Sequence, residues 1–286
     1  MDYRKEYEKW LASPALSEDE RAELKALEGN DKEIKARFYG PLEFGTAGLR
    51  GTMYTGLHNM NRHVIRWATQ GFANVIRAEG TEAMKKGVAV CMDCRNHSAE
   101  FARETACVMA ANGIHVRLFE SLRPTPELSF AVREYGCQAG INVTASHNPA
   151  IYNGIKVFTA GGRDADKTVT NKIEEHIARL TPEAVKSVDY DTALAEGKIT
   201  EKNPSNDYID SILAAIDVEA IKKAQLRIAL DPMYGVSQTC LSMILMTCRC
   251  DLEIIHERHD TLFGGKLPAP NEETMGPLSA LVLDRY

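Results

Sequence analysis

The sequence predicts an α/β protein in which one strand–helix–strand unit occurs twice. In the first copy, an apolar strand over residues 87–93 ends in an acid, and the next strand covers residues 114–119. Residues 226–256 repeat this order. The second strand begins 21 residues after Asp93 in the first copy and 21 residues after Asp231 in the second. This recurrence indicates a repeated α/β unit, with helices packed on sheets.

The composition sets the broad class. A chain of 286 residues corresponds to about two domains. Hydrophobic residues make up 44% and charged residues 26%, as in folded proteins. The formal charge of −6 disfavours nucleic acid and anionic membranes as partners, because their phosphates would be repelled. The first residues contain no apolar signal stretch, so we expect a cytoplasmic protein with no membrane partner. The sequence does not indicate an oligomeric state.

The elements follow in chain order. Residues 3–40 have helical periodicity, with Ser17 and Glu20 spaced as a capping box, and we interpret them as a packing arm. An apolar stripe predicts a helix over residues 63–77. A second helix over residues 100–112 joins the two strands of the first copy.

A polar Asn-Pro-Ser-Asn stretch at residues 203–206 marks the boundary between the two copies. We therefore predict a first domain, including the arm, over residues 1–205 and a second domain over residues 206–286. The seven cysteines are an odd number without a signal peptide, which favours free thiols. Cys91 and Cys94 have metal-site spacing, but Cys91 falls in a buried strand and no second pair accompanies it.

The most informative stretch begins with a strand at residues 139–144. It runs into Ala-Ser-His-Asn-Pro, and the Asn148–Pro149 pair predicts a turn. Ser146 should therefore lie at a tight corner beyond the carboxyl end of a strand, where α/β proteins bind ligands. Lys156 follows ten residues later.

Three interpretations of this corner are open. Ser146 and Asn148 are good turn formers and could be structural alone. A serine hydrolase with His147 as base is disfavoured, because consecutive residues in extended chain point to opposite faces and no Gly-x-Ser-x-Gly elbow is present. A phosphoryl-carrying serine would need cations close by, and Arg50, His147 and Lys156 are candidates.

The string Thr-Ala-Ser-His-Asn-Pro at residues 144–149, followed by Tyr-Asn-Gly-x-Lys at residues 152–156, resembles the phosphoserine loop of the α-D-phosphohexomutases. The Gly-Thr-Ala-Gly-Leu-Arg-Gly loop at residues 45–51 and the Arg-Pro-Thr-Pro-Glu-Leu segment at residues 123–128 also resemble stretches of that family. The long arm and the glycine loop are most similar to the phosphoglucomutase and phosphopentomutase branch. The fold expected from the resemblance is a series of mixed-sheet α/β domains, the first complete here and the second truncated.

The resemblance also implies roles for individual residues. Ser146 would carry the phosphoryl group, Lys156 would act as general acid and base, and Arg50 and His147 would complete the catalytic set. Residues implied to bind substrate or phosphate are Thr46, Gly48, Arg50, Arg95, Asn148 and Lys156. The substrate would be a small phosphosugar, with glucose favoured and mannose or pentose phosphates open, and glucose 1,6-bisphosphate would serve as activator.

The family's metal site is only partly represented. The phosphate on Ser146 would be one ligand of a single Mg²⁺ ion, but the family's Asp-x-Asp-x-Asp-Arg loop is absent from the sequence. Because Mg²⁺ prefers six oxygen ligands, we expect residues 1–286 alone to be nearly inactive as a mutase. A non-catalytic phosphosugar-binding protein is the alternative.

Overall fold

The computed structural model describes residues 2–45, 48–181 and 184–285. Three short helices open the chain: α1 (Tyr3–Leu11), α2 (Glu18–Lys25) and α3 (Asp31–Phe38). They bury their own small core around Leu24 and Phe38, which are fully inaccessible to solvent. The predicted capping box is present, since the Ser17 hydroxyl accepts from the Glu20 amide and the Glu20 carboxylate accepts from the Ser17 amide.

A six-stranded mixed sheet forms the centre of the first unit. Its strands, in chain order, are β1 (Leu49–Thr52), β2 (Val88–Met92), β3 (Val116–Phe119), β4 (Ala139–Val143), β5 (Tyr152–Thr159) and β6 (Ile199–Lys202). The spatial order is β1-β5-β4-β2-β3-β6. The four strands from β4 to β6 run parallel, and β5 and β1 are antiparallel additions at one edge. Strands β2 and β4 are buried on both faces, as parallel central strands require.

Helices cover both faces of this sheet. They are α4 (Arg62–Ala78), α5 (Thr81–Lys86), α6 (Ser98–Ala111), α7 (Thr125–Glu134), α8 (Lys167–Ala178) and α9 (Tyr190–Ala195). The α4 and α6 helices carry the apolar residues of the larger core, and α7 packs with Phe119 and Phe158 in a separate core on the other face. Helix α4 begins where predicted, because the Asn61 side chain accepts from the amides of His63 and Val64.

The predicted strand over residues 114–119 is shorter in the structure. Gly113, two residues beyond the end of α6, has φ 75°, and the amide of Ile114 donates to the Met109 carbonyl across the helix end. This closing turn uses the amide that a strand would need, so β3 starts at Val116.

The second unit contains α10 (Ser205–Ala215), α11 (Val218–Ala224), β7 (Arg227–Leu230), α12 (Gln238–Thr247), β8 (Asp251–Ile254), a 3₁₀ turn (Phe263–Gly265) and α13 (Gly276–Arg285). Strands β7 and β8 pair in parallel, with α12 connecting them. This strand–helix–strand order repeats β2, α6 and β3, so the predicted repeat of an α/β unit is confirmed. Within the described residues, no helix is both long and apolar enough to span a membrane.

Candidate functional site

The carboxyl ends of β2 and β4 place a polar cluster at one edge of the sheet. Met92 pairs with Val143, so the residues that follow, Asp93 and Thr144, lie side by side. Ser146 comes two residues later in an exposed turn with φ 56°, the left-handed region. Its amide donates to the Thr144 hydroxyl at 3.0 Å. The corner geometry expected for Ser146 is therefore present, with the side chain open to solvent.

His147 does not point away from Ser146, and the expectation of opposite faces was wrong. The Ser146 Oγ lies 3.4 Å from His147 Nδ1. The reason is the left-handed conformation of Ser146, which ends the extended chain and turns both side chains to the solvent side. His147 is itself exposed, so its imidazole can reach a ligand bound at Ser146.

The segment from the end of β4 to the first residue of β5, residues 144–152, contains Ser146 and is called the serine loop. Arg50 reaches this loop from the edge strand β1. Its Nη1 donates to Asn148 Oδ1 at 2.9 Å. Within the described part of the chain, Arg50 Nε is buried without a hydrogen-bond partner. Burial lowers the pKa of this guanidinium and the Asp164 carboxylate opposes that shift. Because arginine has so high an intrinsic pKa, Arg50 stays cationic and keeps unused donors for an anion.

Lys156 projects from the same face of the sheet as Arg50. Register pairs Arg50 with Gly154, and Lys156 is two residues further along β5. Gly154 leaves the space that Arg50 fills, since a Cβ there would lie 2.9 Å from Arg50 Cγ. The ammonium of Lys156 is 3.4 Å from Asp164 Oδ1, and only 17% of the lysine side chain is exposed.

Arg95 is placed differently from a phosphate ligand. Its side chain is fully buried, and its two terminal nitrogens donate to four carbonyls of the serine loop at 2.7–3.0 Å. These carbonyls belong to Ser146, Asn148, Pro149 and Tyr152. Burial lowers the pKa of Arg95, and Asp93 opposes that shift. The guanidinium is committed to the backbone of the loop, although the family resemblance implied substrate or phosphate binding.

Asp93 is a functional residue that sequence reasoning passed over. Its carboxylate accepts from the Arg95 amide, the Ser98 hydroxyl and the Thr144 hydroxyl, and it lies 3.3 Å from Arg95 Nε. It thereby joins the ends of β2 and β4. The sequence shows this acid at the end of a predicted strand, and the arginine two residues later is the signal that identifies the pair.

The glycine loop before β1 approaches the same edge. Gly48 has φ 96°, and a Cβ at this position would lie 2.1 Å from the Ile155 carbonyl. Only glycine allows the loop to lie against the strand that carries Lys156. Thr46, the other residue of this loop that was expected to bind phosphate, lies outside the described residues.

A cleft of about 320 Å³ opens in front of Ser146 between the two units. Asp93, Thr144 and His147 line it on one side, and Met233 and Pro268 line it on the other. The second unit thus forms one wall of the site, which the sequence alone did not indicate.

The described residues do not by themselves fit a Mg²⁺ ion. Within the three described segments, there is no group of three or more His, Cys, Asp or Glu side chains that could hold a metal ion. Asp93 is the carboxylate of the cleft, but it already accepts the bonds given above. A phosphate on Ser146 would add oxygen donors without completing the six that Mg²⁺ prefers.

Comparison with known proteins identifies the family of the chain. The family model for the phosphoglucomutase/phosphomannomutase alpha/beta/alpha domain I matches residues 41–184, and that for domain II matches residues 206–285. A phosphoglucomutase from Staphylococcus saprophyticus is 34% identical over 218 residues, which are 75% of this chain and 39% of that protein. A phosphopentomutase from Homo sapiens is 36% identical over 199 residues, which are 65% of this chain and 32% of that protein.

The solved structures agree on the fold. A protein from Thermus thermophilus assigned as a phosphomannomutase superposes with a TM-score of 0.73 at 25% identity, over 85% of this chain and 52% of its own. The Paramecium phosphoglucomutase parafusin gives a TM-score of 0.69 at 22% identity, over 84% of this chain and 47% of its own. The chain spans about two fifths or less of the length of the curated relatives given above.

Proposed function

Since the chain belongs to the α-D-phosphohexomutase family, we propose that it carries the phosphoryl-accepting serine of a phosphosugar mutase. Ser146 accepts a phosphoryl group and returns it to a sugar phosphate, by way of a sugar bisphosphate. The observation that carries this proposal is the placement of Ser146. Its hydroxyl is exposed at a left-handed corner, and Arg50 contacts the same loop through Asn148.

The charges around Ser146 suit phosphoryl transfer. Such a transfer requires in-line positioning and cations around the equatorial oxygens, with little covalent help from the protein. Arg50 offers a buried Nε that has no partner among the described residues, and His147 lies beside the Ser146 hydroxyl. In the proposed role these two groups stabilise the phosphate as its charge spreads.

Lys156 serves as the general base in this proposal. When the Ser146 phosphate is attacked by a sugar hydroxyl, a new oxygen–phosphorus bond forms to the sugar, the bond to Ser146 Oγ breaks, and the hydroxyl proton must be taken up. Lys156 lies on the same face of the sheet as Arg50, is largely buried and has Asp164 as its neighbour. The reverse step uses the same lysine as an acid.

A Mg²⁺ ion, which the family resemblance implies, would neutralise charge on the transferring phosphate. The described residues lack a complete ligand set, so we derive no step through the ion. We assign residues 1–205 to the unit that bears the nucleophile and residues 206–286 to the unit that closes the cleft. Because that ligand set is incomplete, we propose that catalytic turnover requires acidic Mg²⁺ ligands in addition to the described residues.

We propose glucose phosphates as the substrates and glucose 1,6-bisphosphate as the activator. The relatives reported above include both a phosphoglucomutase and a phosphopentomutase. Pentose and mannose phosphates are therefore the alternatives to be compared in the assay.

The test is intact-protein mass spectrometry after incubation with glucose 1,6-bisphosphate and Mg²⁺, with ribose 1,5-bisphosphate in parallel. The expected result is a gain of one phosphate with the glucose compound, lost in Ser146→Ala. Thr144→Ser retains a hydroxyl beside Ser146 and is the matched control that should still be phosphorylated. Retention of bisphosphate without covalent transfer would instead support a binding protein.

The contact between Ser146 and His147 keeps a serine hydrolase as the second candidate. A fluorophosphonate probe separates the two, because it labels serines activated by a base. We expect no label at Ser146, since its distance of 3.4 Å to His147 Nδ1 is long for the hydrogen bond that would activate a nucleophile. Labelling at Ser146 that is abolished in His147→Ala would favour the hydrolase.

A further inference from the structure

The backbone of the serine loop is held by a single buried side chain, that of Arg95. Arg95 donates four hydrogen bonds to carbonyls of residues 146–152, at distances from 2.7 to 3.0 Å. Its side chain is completely buried. A planar guanidinium presents donors in a fixed fork, whereas an ammonium is a compact charge that could not span four carbonyls in this arrangement. The loop therefore takes its shape around this one side chain.

The support is needed because the loop conformation is locally unfavourable. Ser146 adopts φ 56°, a region that residues with a side chain visit at a cost unless neighbouring contacts compensate. Within the loop itself, the described backbone bonds are those from Asn148 to Ala145 and from Tyr152 to Pro149. The carbonyl of Ser146 accepts the shortest of the Arg95 bonds, at 2.7 Å.

The second unit touches Arg95 and its neighbour directly. The ring of Phe263, in the 3₁₀ turn, lies under the guanidinium with 5.1 Å between the ring centroid and Cζ. Phe263 is buried. The preceding residue, Cys94, donates through its thiol to the Tyr234 carbonyl at 3.3 Å, and its own carbonyl lies 3.2 Å from His259 Nε2. The segment that carries Arg95 is thus held from the second unit at three points.

We propose that Arg95 is the positioning residue of the Ser146 loop and that Phe263 of the second unit holds Arg95 in that role. The second unit therefore does more than form the far wall of the cleft. It contributes to the orientation of the Ser146 hydroxyl through the aromatic–guanidinium contact between Phe263 and Arg95. The consequence for phosphoryl transfer rests on the proposed function, whereas the consequence for loop order does not.

Loop order is measured by hydrogen–deuterium exchange of the intact chain, read by mass spectrometry on peptides that cover residues 143–153. In Arg95→Lys, the amides of Ser146, Asn148 and Tyr152 should exchange faster, while those of helix α4 keep the wild-type rate. Phe263→Leu keeps an apolar side chain but removes the ring, and it should accelerate the same loop by about fivefold, as loss of one cation–π contact implies. The matched control is Arg37→Lys, which changes another buried arginine, bonded to Glu33 in the N-terminal arm.

Chemical rescue separates positioning from a general loss of stability. Arg95→Ala leaves a cavity that ethylguanidinium, equivalent to the missing side chain beyond Cβ, can fill. Added ethylguanidinium should restore loop protection in Arg95→Ala, and ethylammonium at equal concentration should not. If the wild-type chain takes up phosphate from glucose 1,6-bisphosphate, Arg95→Lys should slow that uptake by about 100-fold, as a misplaced nucleophile does.

The outcomes are distinguishable. Unchanged loop exchange in Arg95→Lys, or rescue by ethylammonium as well as ethylguanidinium, overturns the role of Arg95. Unchanged loop exchange in Phe263→Leu overturns the role of Phe263 in holding Arg95. Wild-type phosphorylation with an unaffected rate in Arg95→Lys shows that the loop does not need the arginine to react. A wild-type chain that never takes up phosphate refutes the proposed function, and the exchange data still decide the structural claim.

Discussion

At Gly154, a single added methyl group should displace the strand that carries Arg50 from the rest of the candidate site. The Cβ of an alanine there would lie 2.4 Å from the Leu49 carbonyl oxygen, 3.0 Å from the Thr144 carbonyl oxygen and 2.9 Å from Arg50 Cγ. Both oxygens are backbone atoms, so no side-chain rotation relieves the overlap. Strand β1 is an edge strand of the sheet and pairs with β5 on one side only. Relief therefore requires β1 to shift by about 1 Å, in an interior that is otherwise close-packed.

The cost follows from that shift. Overpacking of this kind destabilises proteins by about 1–3 kcal/mol. For a unit of roughly 200 residues this lowers the melting temperature by about 2–12 °C. Because Arg50 moves with β1, Ser146 phosphorylation should also slow by about tenfold or more, at a temperature where the variant is fully folded.

Calorimetry and the phosphorylation assay test this directly, with Gly161→Ala as the matched control. Gly161 follows β5, has no atom within 4 Å of an added Cβ and does not need a positive φ. It should therefore be neutral in both measurements. Wild-type melting and wild-type phosphorylation in Gly154→Ala would refute the packing argument for Arg50.

Three further predictions address the rest of the molecule. Glu127→Gln should destabilise the chain by about 3 kcal/mol in urea unfolding, because it removes the charge that faces Arg123 in a buried pair; the exposed pair variant Glu82→Gln is the control and should be neutral. Cys240 should resist iodoacetamide at pH 8 while half-exposed Cys250 reacts. Burial and Glu127 raise the Cys240 pKa to about 12, so its reactive thiolate forms only as the pH nears that value. Equal labelling of the two cysteines would contradict this. Burial lowers the pKa of His63, although the Glu20 carboxylate opposes this shift. The N-terminal arm should therefore lose stability as the pH falls below about 6.5, where the unfolded chain binds the proton more readily. Fluorescence of Trp10, which packs on His63, should report this transition, and the transition should be absent in His63→Gln.

The sequence was sufficient for the parts of the fold that hydrophobic periodicity encodes. The apolar stripe at residues 63–77 and the apolar run at residues 88–92 became a helix and a central strand near the expected bounds. Strands β1 and β5 were not predicted as strands. One contains Gly51 in a four-residue segment, and the other begins inside the polar Tyr-Asn-Gly stretch after Ser146. Their strand character comes from pairing with each other and with β4, which a local pattern does not contain.

The candidate site, like the fold, was predictable only in part from the sequence. The residue types at Ser146, Arg50 and Lys156 were identified from the sequence, and the structure brings them to one edge of the sheet. The commitment of Arg95 to loop carbonyls was not predictable, because it depends on which backbone atoms surround a buried guanidinium. The contact between Phe263 and Arg95 joins residues 168 positions apart and depends on how the two units pack. Such long-range contacts leave no periodicity in the sequence.

The central claim is that the Ser146 hydroxyl accepts phosphate, and the most direct measurement is tandem mass spectrometry of the peptide containing residues 139–156 after exposure to glucose 1,6-bisphosphate. We expect a single phosphate, with the fragment ions placing it on Ser146. Phosphate on Thr144 or on another hydroxyl of that peptide, or an unmodified Ser146 under conditions in which a full-length phosphoglucomutase becomes fully phosphorylated, would contradict the claim.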